Sequence, residues 1–496
     1  MQPSGSLEAL KEKIELFLLA LHHPVLTDPG REVVDLSASH YSLTTEYNKL
    51  LCHVWNDQTN LVRQITSIKK ETADRMELQF QKFGKGPPGT LILAESRAGP
   101  AQLDRRSGRA RYAQRLRRFL AQLFPPWKVA QLTSETALEH SFSGRYTRGL
   151  LARGQQAWAV IGTGEQEDAS AAEGILTYGL IWLDWLRQQK SALVIEGLKV
   201  FVPSERAQTT LERLAWMDSK LARWEVYETA EEVRRCDPAD VGNLTTSLRV
   251  AAERPPLPHA FDRWTEQIKA LSPAIEERLG RDGHCVLAVR GLPFARSTPA
   301  GMVFGVGRSE TVLEERTWNE LQALVAKILR YRQGRPEDPL HPFFRLQPER
   351  WMQSLLAQQI AILGHDLTPV ETYAQVPAVS GTERGLIDLL AVNSKGRLVV
   401  VELKASEDIH LPLQALDYWM RVCRHLQRGE FERRGAFRIR GVSSQPPLLL
   451  LVSPALQFHS ACETILRYFS PSVETVRVGL NENWREELQV VFRYPQ

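Results

Sequence analysis

The feature that most constrains the fold is a pair of apolar segments, GLIDLLAV and RLVVVELK, joined by the polar turn NSKG (residues 385–404). Each segment is apolar at odd and even positions alike, which is typical of a central strand covered on both faces. Asp388 interrupts the first segment, and Glu402 and Lys404 end the second. Because side chains two residues apart on a strand project to the same face, Glu402 and Lys404 lie together. If the two strands pair as a hairpin, Asp388 approaches Glu402.

Two carboxylates in such a place need a compensating charge, because they repel each other and lose hydration. Mg2+ or Mn2+ answers both problems, since such an ion binds a few carboxylate oxygens, keeps several waters and takes its remaining ligands from phosphate. Lys404 beside the ion would orient or deprotonate the attacking water, or offset charge in the transition state. The alternative is a structural salt bridge among Asp388, Glu402 and Lys404 in an inactive sheet.

The segment PLQALDYWMRVCRHL, which follows the hairpin, predicts a helix with two stripes. The apolar stripe, which would pack on the sheet, comprises Leu413, Leu416, Met420, Cys423 and Leu426. The polar, aromatic and basic stripe has the spacing i, i+4, i+7 and i+11 and comprises Gln414, Tyr418, Arg421 and His425. The second stripe suits a phosphate backbone, and the next loop would extend it with Arg433, Arg434, Arg438 and Arg440. For any one of these arginines, a solvated polar face is the alternative.

An Asp…Glu-x-Lys hairpin followed by a helix with Gln-x-x-x-Tyr resembles the PD-(D/E)XK nuclease superfamily. The run IDLLAVNSKGRLVVVELK, followed by QALDY, is especially similar to the RecB-like branch, which includes the NucS/EndoMS-type DNA endonucleases. The resemblance covers residues 348–496, under a third of the chain. Ile387 stands where the superfamily usually has a proline before the aspartate, a position that varies widely.

The resemblance implies a role for each matching residue. The metal ligands would be the carboxylates of Asp388 and Glu402, helped by the carbonyl of Leu403, and the catalytic lysine would be Lys404. The residues that would support the site and contact the substrate are Gln414 and Tyr418. Glu349, which opens the first helix of this region, matches the superfamily's acidic position there.

The chain as a whole reads as a multidomain α/β protein of four parts. Residues 348–496 show the order α-β-β-β-α-β with additions, a small mixed sheet flanked by helices, and the resemblance implies a restriction-endonuclease-like fold. Residues 1–96 predict a helix and an antiparallel sheet or barrel, because segments such as MELQFQKF alternate with period two. Residues 97–252 predict an arginine-rich helix and an α/β domain, and residues 253–347 a helical and linker region that begins with ERPPLPH. No fixed-period repeat is evident.

The arginine-rich helix is a second candidate for nucleic-acid binding. Residues 97–118 hold eight arginines against one acidic residue, Asp104, with Tyr112 and Leu116 at helical spacing between them. Arg109 and Arg115 on this helix would contact phosphates, and binding would then weaken with salt. A solvated surface or a partner-binding face is the alternative. The glycines of AVIGTGEQED lack the third glycine of a dinucleotide-binding loop, so nucleotide binding there is not favoured.

Composition argues against several other classes. The 43% of hydrophobic and 24% of charged residues are typical of a soluble globular protein, and no stretch approaches the roughly 20 apolar residues needed to span a bilayer. The charges interleaved with the first leucines favour an amphipathic helix over a signal peptide. Five scattered cysteines without a CxxC pair favour a reducing cytoplasm and argue against a zinc knuckle. A net charge of +4 does not by itself indicate nucleic acid.

Together these patterns predict a cytoplasmic, metal-dependent nuclease that hydrolyses phosphodiester bonds with Mg2+ or Mn2+ as its cofactor. DNA is favoured over RNA as the partner, no membrane partner is expected, and a homodimer is left open. Two other classes stay open. One is a non-catalytic DNA- or protein-binding scaffold on the same fold, and the other is an RNA-cutting effector gated by a ligand in the middle domain.

Overall fold

The computed structural model describes residues 4–21, 24–28, 34–36, 39–46, 49–55, 60–72, 75–81, 88–95, 100–190, 192–237, 246–248, 262–279, 284–307, 310–380 and 383–496. The chain divides into two compact units, residues 1–107 and 108–496. The predicted domain boundaries at 96/97 and 252/253 and the segment ERPPLPH lie outside the described residues. Among the described residues, no helix combines the length and the apolar character needed to cross a bilayer.

The first unit contains a helix and one antiparallel sheet. Its elements are α1 (Ser4–Ala20), β1 (Pro24–Thr27), β2 (Val34–Asp35), β3 (His40–Glu46), β4 (Lys49–Trp55), β5 (Asn60–Glu71), β6 (Arg75–Gln81) and β7 (Gly89–Glu95). The strand order is β2-β1-β7-β6-β5-β4-β3. Alternate side chains of β6 are buried, namely Met76, Leu78 and Phe80, so the period-two pattern correctly predicts this antiparallel sheet.

A mixed sheet, here called the first α/β sheet, opens the second unit after helix α2 (Pro100–Leu123). Its elements are β8 (Lys128–Thr133), β9 (Thr147–Arg153), β10 (Gln156–Gly162), α3 (Ala169–Gln189), β11 (Val194–Pro203), α4 (Gln208–Leu214), β12 (Arg223–Thr229) and β13 (Val233–Cys236). Strands β8, β9 and β10 are antiparallel neighbours, β10, β11 and β12 are parallel, and β13 returns antiparallel. The predicted alternation of strands and helices is confirmed.

A separate antiparallel sheet follows strand β14 (Thr246–Leu248) along the chain. Its elements are α5 (Asp262–Lys269), β15 (Ile275–Leu279), β16 (Cys285–Val289), β17 (Leu292–Thr298), β18 (Gly301–Phe304), β19 (Thr311–Val312), α6 (Trp318–Tyr331) and α7 (Pro342–Arg345). The prediction of a helical and linker region over 253–347 is therefore wrong in its described part. The short apolar runs CVLAV and LPFA mark two of these strands, β16 and β17, which pair with each other. Their side chains share one apolar core with α6.

Arg332, the residue after α6, forms hydrogen bonds with both this antiparallel sheet and the segment 343–347. Its side chain is fully buried and donates to backbone carbonyls on both sides, those of Val289, Arg290, Phe343, Leu346 and Gln347. Burial lowers the pKa of its guanidinium to about 9. The side chain is therefore held by carbonyl dipoles in a site where water cannot replace them.

The second α/β sheet contains the predicted hairpin. Its elements are α8 (Pro348–Gln358), β20 (Thr372–Ser380), β21 (Glu383–Val392), β22 (Leu398–Leu403), α9 (Leu411–Gln427), α10 (Glu430–Arg433), β23 (Leu448–Pro454), α11 (Ala461–Leu466), β24 (Thr475–Leu480) and β25 (Val490–Pro495). The strand order is β14-β20-β21-β22-β23-β24-β25. Strands β20, β21 and β22 are antiparallel, β22, β23 and β24 are parallel, and β25 is antiparallel to β24. The elements follow the expected order α-β-β-β-α-β.

One apolar core lies between the two α/β sheets and contains side chains of α3, α4, α9 and α11, such as Ile175 and Trp419. On the far side of each sheet a further helix packs, α2 on the first and α8 on the second. Strand β22 is consequently buried on both faces along its whole length. The apolar run that predicts a central strand is explained by these two helical layers.

Replacing Arg332 tests its structural role. Arg332→Met should lower the free energy of unfolding of the second unit by about 3 kcal/mol or more, because several buried carbonyls lose their donor at once. Arg330→Met, on the same helix, should change stability little, since Arg330 is exposed and its partner Glu337 is at the surface. Denaturant titrations of both variants measure this difference, and equal losses would contradict the assignment.

Candidate metal centre

The β21–β22 hairpin brings Asp388 and Glu402 together. Its register pairs Leu389 with Val401, so the next residues along, Asp388 and Glu402, lie opposite each other where the ladder ends. The backbone N–H of Leu403 donates to Asp388 Oδ2 at 2.9 Å. The predicted approach of the two carboxylates is therefore present in the structure.

Glu402 is the most constrained of these groups. Its side chain is only 2% exposed. Burial, and then the neighbouring carboxylate of Asp388, raise its pKa well above the ordinary value. Its Oε2 atom is buried and accepts no hydrogen bond from any described residue. A buried carboxylate oxygen without a donor is costly, and it marks a place where a cation or a proton has to be bound.

Two glutamines hold Asp388 in place. Gln353 on α8 is fully buried and donates from Nε2 to the backbone carbonyl of Asp388 at 2.7 Å. Gln375 on β20 donates from Nε2 to Gln353 Oε1 at 2.8 Å and to Asp388 Oδ1 at 3.4 Å. Gln375 has a φ of 53°, an unusual conformation for a residue other than glycine, where the β20–β21 register skips a pair. This local distortion of the strand aims the amide at the carboxylate.

Lys404 lies at the edge of the same cluster, with its Nζ 3.4 Å from Asp408 Oδ2. Burial alone would lower the pKa of Lys404, but the carboxylates of Glu349, Glu402 and Asp408 outweigh burial and raise it. Lys404 therefore carries a positive charge in this arrangement. A lysine that is protonated at neutral pH cannot accept a proton, so its charge is more useful here than proton abstraction.

Glu349, in the first turn of α8, completes the charged cluster, because its charge raises the pKa of Asp388, Glu402 and Lys404. No group of three or more His, Cys, Asp or Glu side chains that could hold a metal ion occurs in the described part of the chain. The carboxylates of Asp388 and Glu402 supply only part of a coordination sphere. That is sufficient for Mg2+, which takes the remainder from water and phosphate, and the free Oε2 of Glu402 fits a ligand.

Tyr418 lies near the same cluster on helix α9, and Gln414 contacts this tyrosine. Gln414 Nε2 donates to the Tyr418 hydroxyl at 3.5 Å. Burial, and then the charge of Glu402, raise the pKa of Tyr418 to about 12, so its hydroxyl stays protonated. Gly385 permits this approach, because a Cβ atom there would lie 2.5 Å from Cε1 of the Tyr418 ring.

Arg421 and His425 do not extend this site as an exposed stripe, so that part of the prediction is wrong. Arg421 is 6% exposed and donates to the Ala378 carbonyl at 3.3 Å. His425 is 1% exposed, and its Nδ1 lies 2.8 Å from Glu430. Both residues are buried because α9 lies between the second α/β sheet and the shared helical core, which also buries the predicted apolar stripe.

Arg433 and Arg434 take part in local hydrogen bonds. Arg433 donates to the carbonyl of Arg428 at 2.9 Å. Arg434 donates to the carbonyl of Leu248 on β14 and pairs with Glu430 at 3.2 Å. These contacts join strand β14 and helix α10 to the domain, and phosphate binding by the two arginines stays a prediction.

Arg109 and Arg115 on α2 pair with acidic residues of the loop after β10. Arg109 Nε lies 2.5 Å from Glu167, and Arg115 Nη2 lies 2.9 Å from Glu165. Their charges are therefore offset within the first α/β domain. Phosphate binding by this helix also stays a prediction.

Two positioning residues of the site, Gln353 and Gln375, escape the sequence reasoning. Gln375 fits the alternation of the strand ETYAQVPAV as a residue of its less buried face, so the pattern does not single it out. Gln353 carries no signal either, since a glutamine in a helix is ordinary. No family model matches the chain, and no curated protein matches it.

The raised pKa of Asp388, about 7, gives the site a testable pH dependence. Burial is the main cause. Because this pKa exceeds that of the unfolded chain, the folded state binds more protons between these two values. Stability is therefore lost as pH rises, and the loss is complete above the folded-state pKa. From pH 5.5 to 7 the loss attributable to Asp388 should be about 2 kcal/mol.

Melting temperatures measured at pH 5.5 and pH 8 without metal test this dependence. We expect a larger fall in the parent protein than in the Asp388→Asn/Glu402→Gln variant, and we expect Mg2+ or Mn2+ to restore the parent mainly at pH 8. Glu320→Gln, which changes an exposed carboxylate, should keep the parent's pH dependence. An unaltered pH dependence in the double variant would show that the buried carboxylates are not its source.

Proposed function

We propose that residues 348–496 form a metal-dependent nuclease domain of the PD-(D/E)XK type, which hydrolyses phosphodiester bonds, with DNA favoured over RNA. The observation that carries the proposal is the buried Glu402, whose Oε2 lacks a donor among the described residues while Asp388 lies opposite. Such a pair costs the fold stability, and a bound cation would offset that cost while both groups are ionised.

The order of elements supports the same proposal. A helix, three antiparallel strands, a helix and a parallel strand follow one another, which is the arrangement implied for a restriction-endonuclease-like domain. Asp388 and Glu402 lie on the second and third of these strands, and Gln414 and Tyr418 on the helix that follows. Each residue therefore occupies the element on which the sequence motif puts it.

A structural salt bridge explains the charges less well. Lys404 makes its ion pair with Asp408, and among the described ion pairs none joins Lys404 to Asp388 or Glu402. The charge of Lys404 lowers the pKa of both carboxylates, but burial outweighs it and both pKa values stay raised. A divalent cation would offset the cost of burying them.

The proposed chemistry is the attack of one water on a phosphodiester. The water oxygen bonds to phosphorus, one phosphorus–oxygen bond to a neighbouring sugar breaks, and the leaving oxygen takes up a proton. A bound Mg2+ or Mn2+ supplies a polarised phosphate and a more acidic water. Lys404 offsets the negative charge that develops on the phosphate, and Tyr418, which stays protonated, offers a hydrogen-bond donor.

Cleavage assays test the proposal. Supercoiled, linear, mismatched, branched and single-stranded DNA, and RNA, are incubated with the full chain and Mg2+ or Mn2+. Lys404→Ala should lower the cleavage rate about 100-fold or more, since it removes a charge aimed at the transition state. Lys395→Ala should cut normally, because Lys395 is exposed in the turn at the other end of the same hairpin. If no substrate is cut, or if Lys404→Ala cuts as well as the parent, the proposal fails.

A further inference from the structure

The two α/β sheets of the second unit share one topology. In each, three antiparallel strands lead to a helix, a parallel strand, a second helix, another parallel strand and a final antiparallel strand. The two inner parallel strands also end alike: Pro203 pairs with Thr229 in the first sheet, and Pro454 pairs with Leu480 in the second. The pairing with the strand before the helix agrees as well. Phe201, two residues before Pro203, pairs with Gly162, and Val452, two residues before Pro454, pairs with Leu403.

Contacts between the two sheets' helices join equivalent positions. Met217 and Phe469 form an antiparallel bridge, and each lies three residues beyond the end of its helix, α4 or α11. The backbone N–H of Asp218 donates to the backbone carbonyl of Tyr468 at 2.9 Å. The backbone N–H of Ser470 donates to the backbone carbonyl of Trp216 at 2.8 Å. Contacts that exchange in this way are expected of a two-fold, isologous interface.

Ion pairs also join the helices of the two sheets. Asp184 on α3 lies 3.3 Å from Arg467 at the end of α11, and Asp417 on α9 lies 2.7 Å from Arg213 on α4. By the shared register, which equates Gly162 with Leu403, the helix that carries Tyr418 has its counterpart in α3. Tyr178 of α3 packs on Tyr146, with ring centres 4.7 Å apart.

The shared register identifies the counterparts of the metal centre. Glu402 pairs with Leu451 on β23, which lies three residues before Pro454. In the first sheet, Val200 lies three residues before Pro203, and it pairs with Ile161. Ile161 is therefore the counterpart of Glu402. Across the hairpin Ile161 pairs with Arg148, as Glu402 lies opposite Asp388. The two carboxylates are thus replaced by an aliphatic side chain and an arginine.

Arg148 fills the first sheet's counterpart of the site. Its side chain is 2% exposed, lies over the Phe142 ring at 4.5 Å from the ring centre, and donates to the carbonyls of Ser143, at 3.0 Å, and Glu135. A buried guanidinium at the position of a metal ligand repels a divalent cation. Thr163 is the counterpart of Lys404. The backbone N–H of Thr163 donates to the carbonyl of Phe201, and the backbone N–H of Lys404 donates to the carbonyl of Val452.

We infer that the second unit is an intramolecular dimer of two copies of one fold, in which only the second copy keeps a catalytic centre, so that each binding event cleaves one strand. This inference rests on the proposed function. The helices α9 and α11, through which a second chain could pair with two-fold symmetry, are already covered by α3 and α4 of the first copy. A second centre for the opposite strand is therefore supplied neither by the first copy nor by a partner on this face.

Time courses on supercoiled plasmid DNA test the inference. We expect open circles to accumulate before linear DNA appears, with an initial rate proportional to protein concentration. Linear DNA formed in step with open circles, or a rate that rises with the square of protein concentration, would overturn the single-centre inference while leaving the nuclease intact. If the parent cuts nothing, the proposed function itself is refuted, and this inference falls with it.

A Mn2+ titration followed by electron paramagnetic resonance gives a second readout that does not depend on cleavage. We expect Glu402→Gln to abolish specific Mn2+ binding and Glu167→Gln, which changes a buried carboxylate of the first copy, to leave it unaltered. Circular dichroism verifies that both variants are folded. Specific binding that survives Glu402→Gln and disappears in Glu167→Gln would overturn the inference, and a parent that binds no Mn2+ would refute the proposed metal site.

Discussion

The repulsion between two carboxylates at the end of a fully buried hairpin is the constraint on which the candidate site depends. Asp388 is partly accommodated, because it accepts the N–H of Leu403 and an amide of Gln375. Glu402 is not, since its Oε2 has no donor in the described part of the chain. The surrounding apolar layers make the charges expensive and at the same time strengthen any attraction to a cation, because both effects grow as the local dielectric constant falls.

The helical layer between the two α/β sheets explains why the polar residues of α9 differ in their roles. A helix against a single sheet has one face in water, and a polar stripe on that face can meet a ligand. Helix α9 is covered by the second sheet and by helices of the first copy, so Arg421 and His425 are buried and bonded within the protein. Tyr418, near the edge where β22 ends, lies close to the carboxylates, and Gln414 contacts this tyrosine.

The hairpin and the order of helices and strands in residues 348–496 can be predicted from the sequence, because apolar runs, a turn and three ionisable residues are local signals. The strands of 275–312 were missed since they are short and interrupted by charged residues such as Arg278 and Arg296. The positive φ of Gln375 and the burial of Arg421 depend on partners distant in sequence, so no local pattern reports them. The duplicated fold leaves no signal in the sequence, because its copies share topology and register rather than a repeated motif.

The two copies provide a comparison within a single chain. The first sheet maintains the same strand order and register with Ile161 and Arg148 where the second has Glu402 and Asp388. Ile161 joins the shared apolar core, and the two terminal nitrogens of Arg148 donate to carbonyls, so this copy has no pair of carboxylates to repel each other. The fold therefore does not require the two carboxylates. Since the second copy holds them at a cost in stability, they fit the proposed binding or catalysis better than a role in folding.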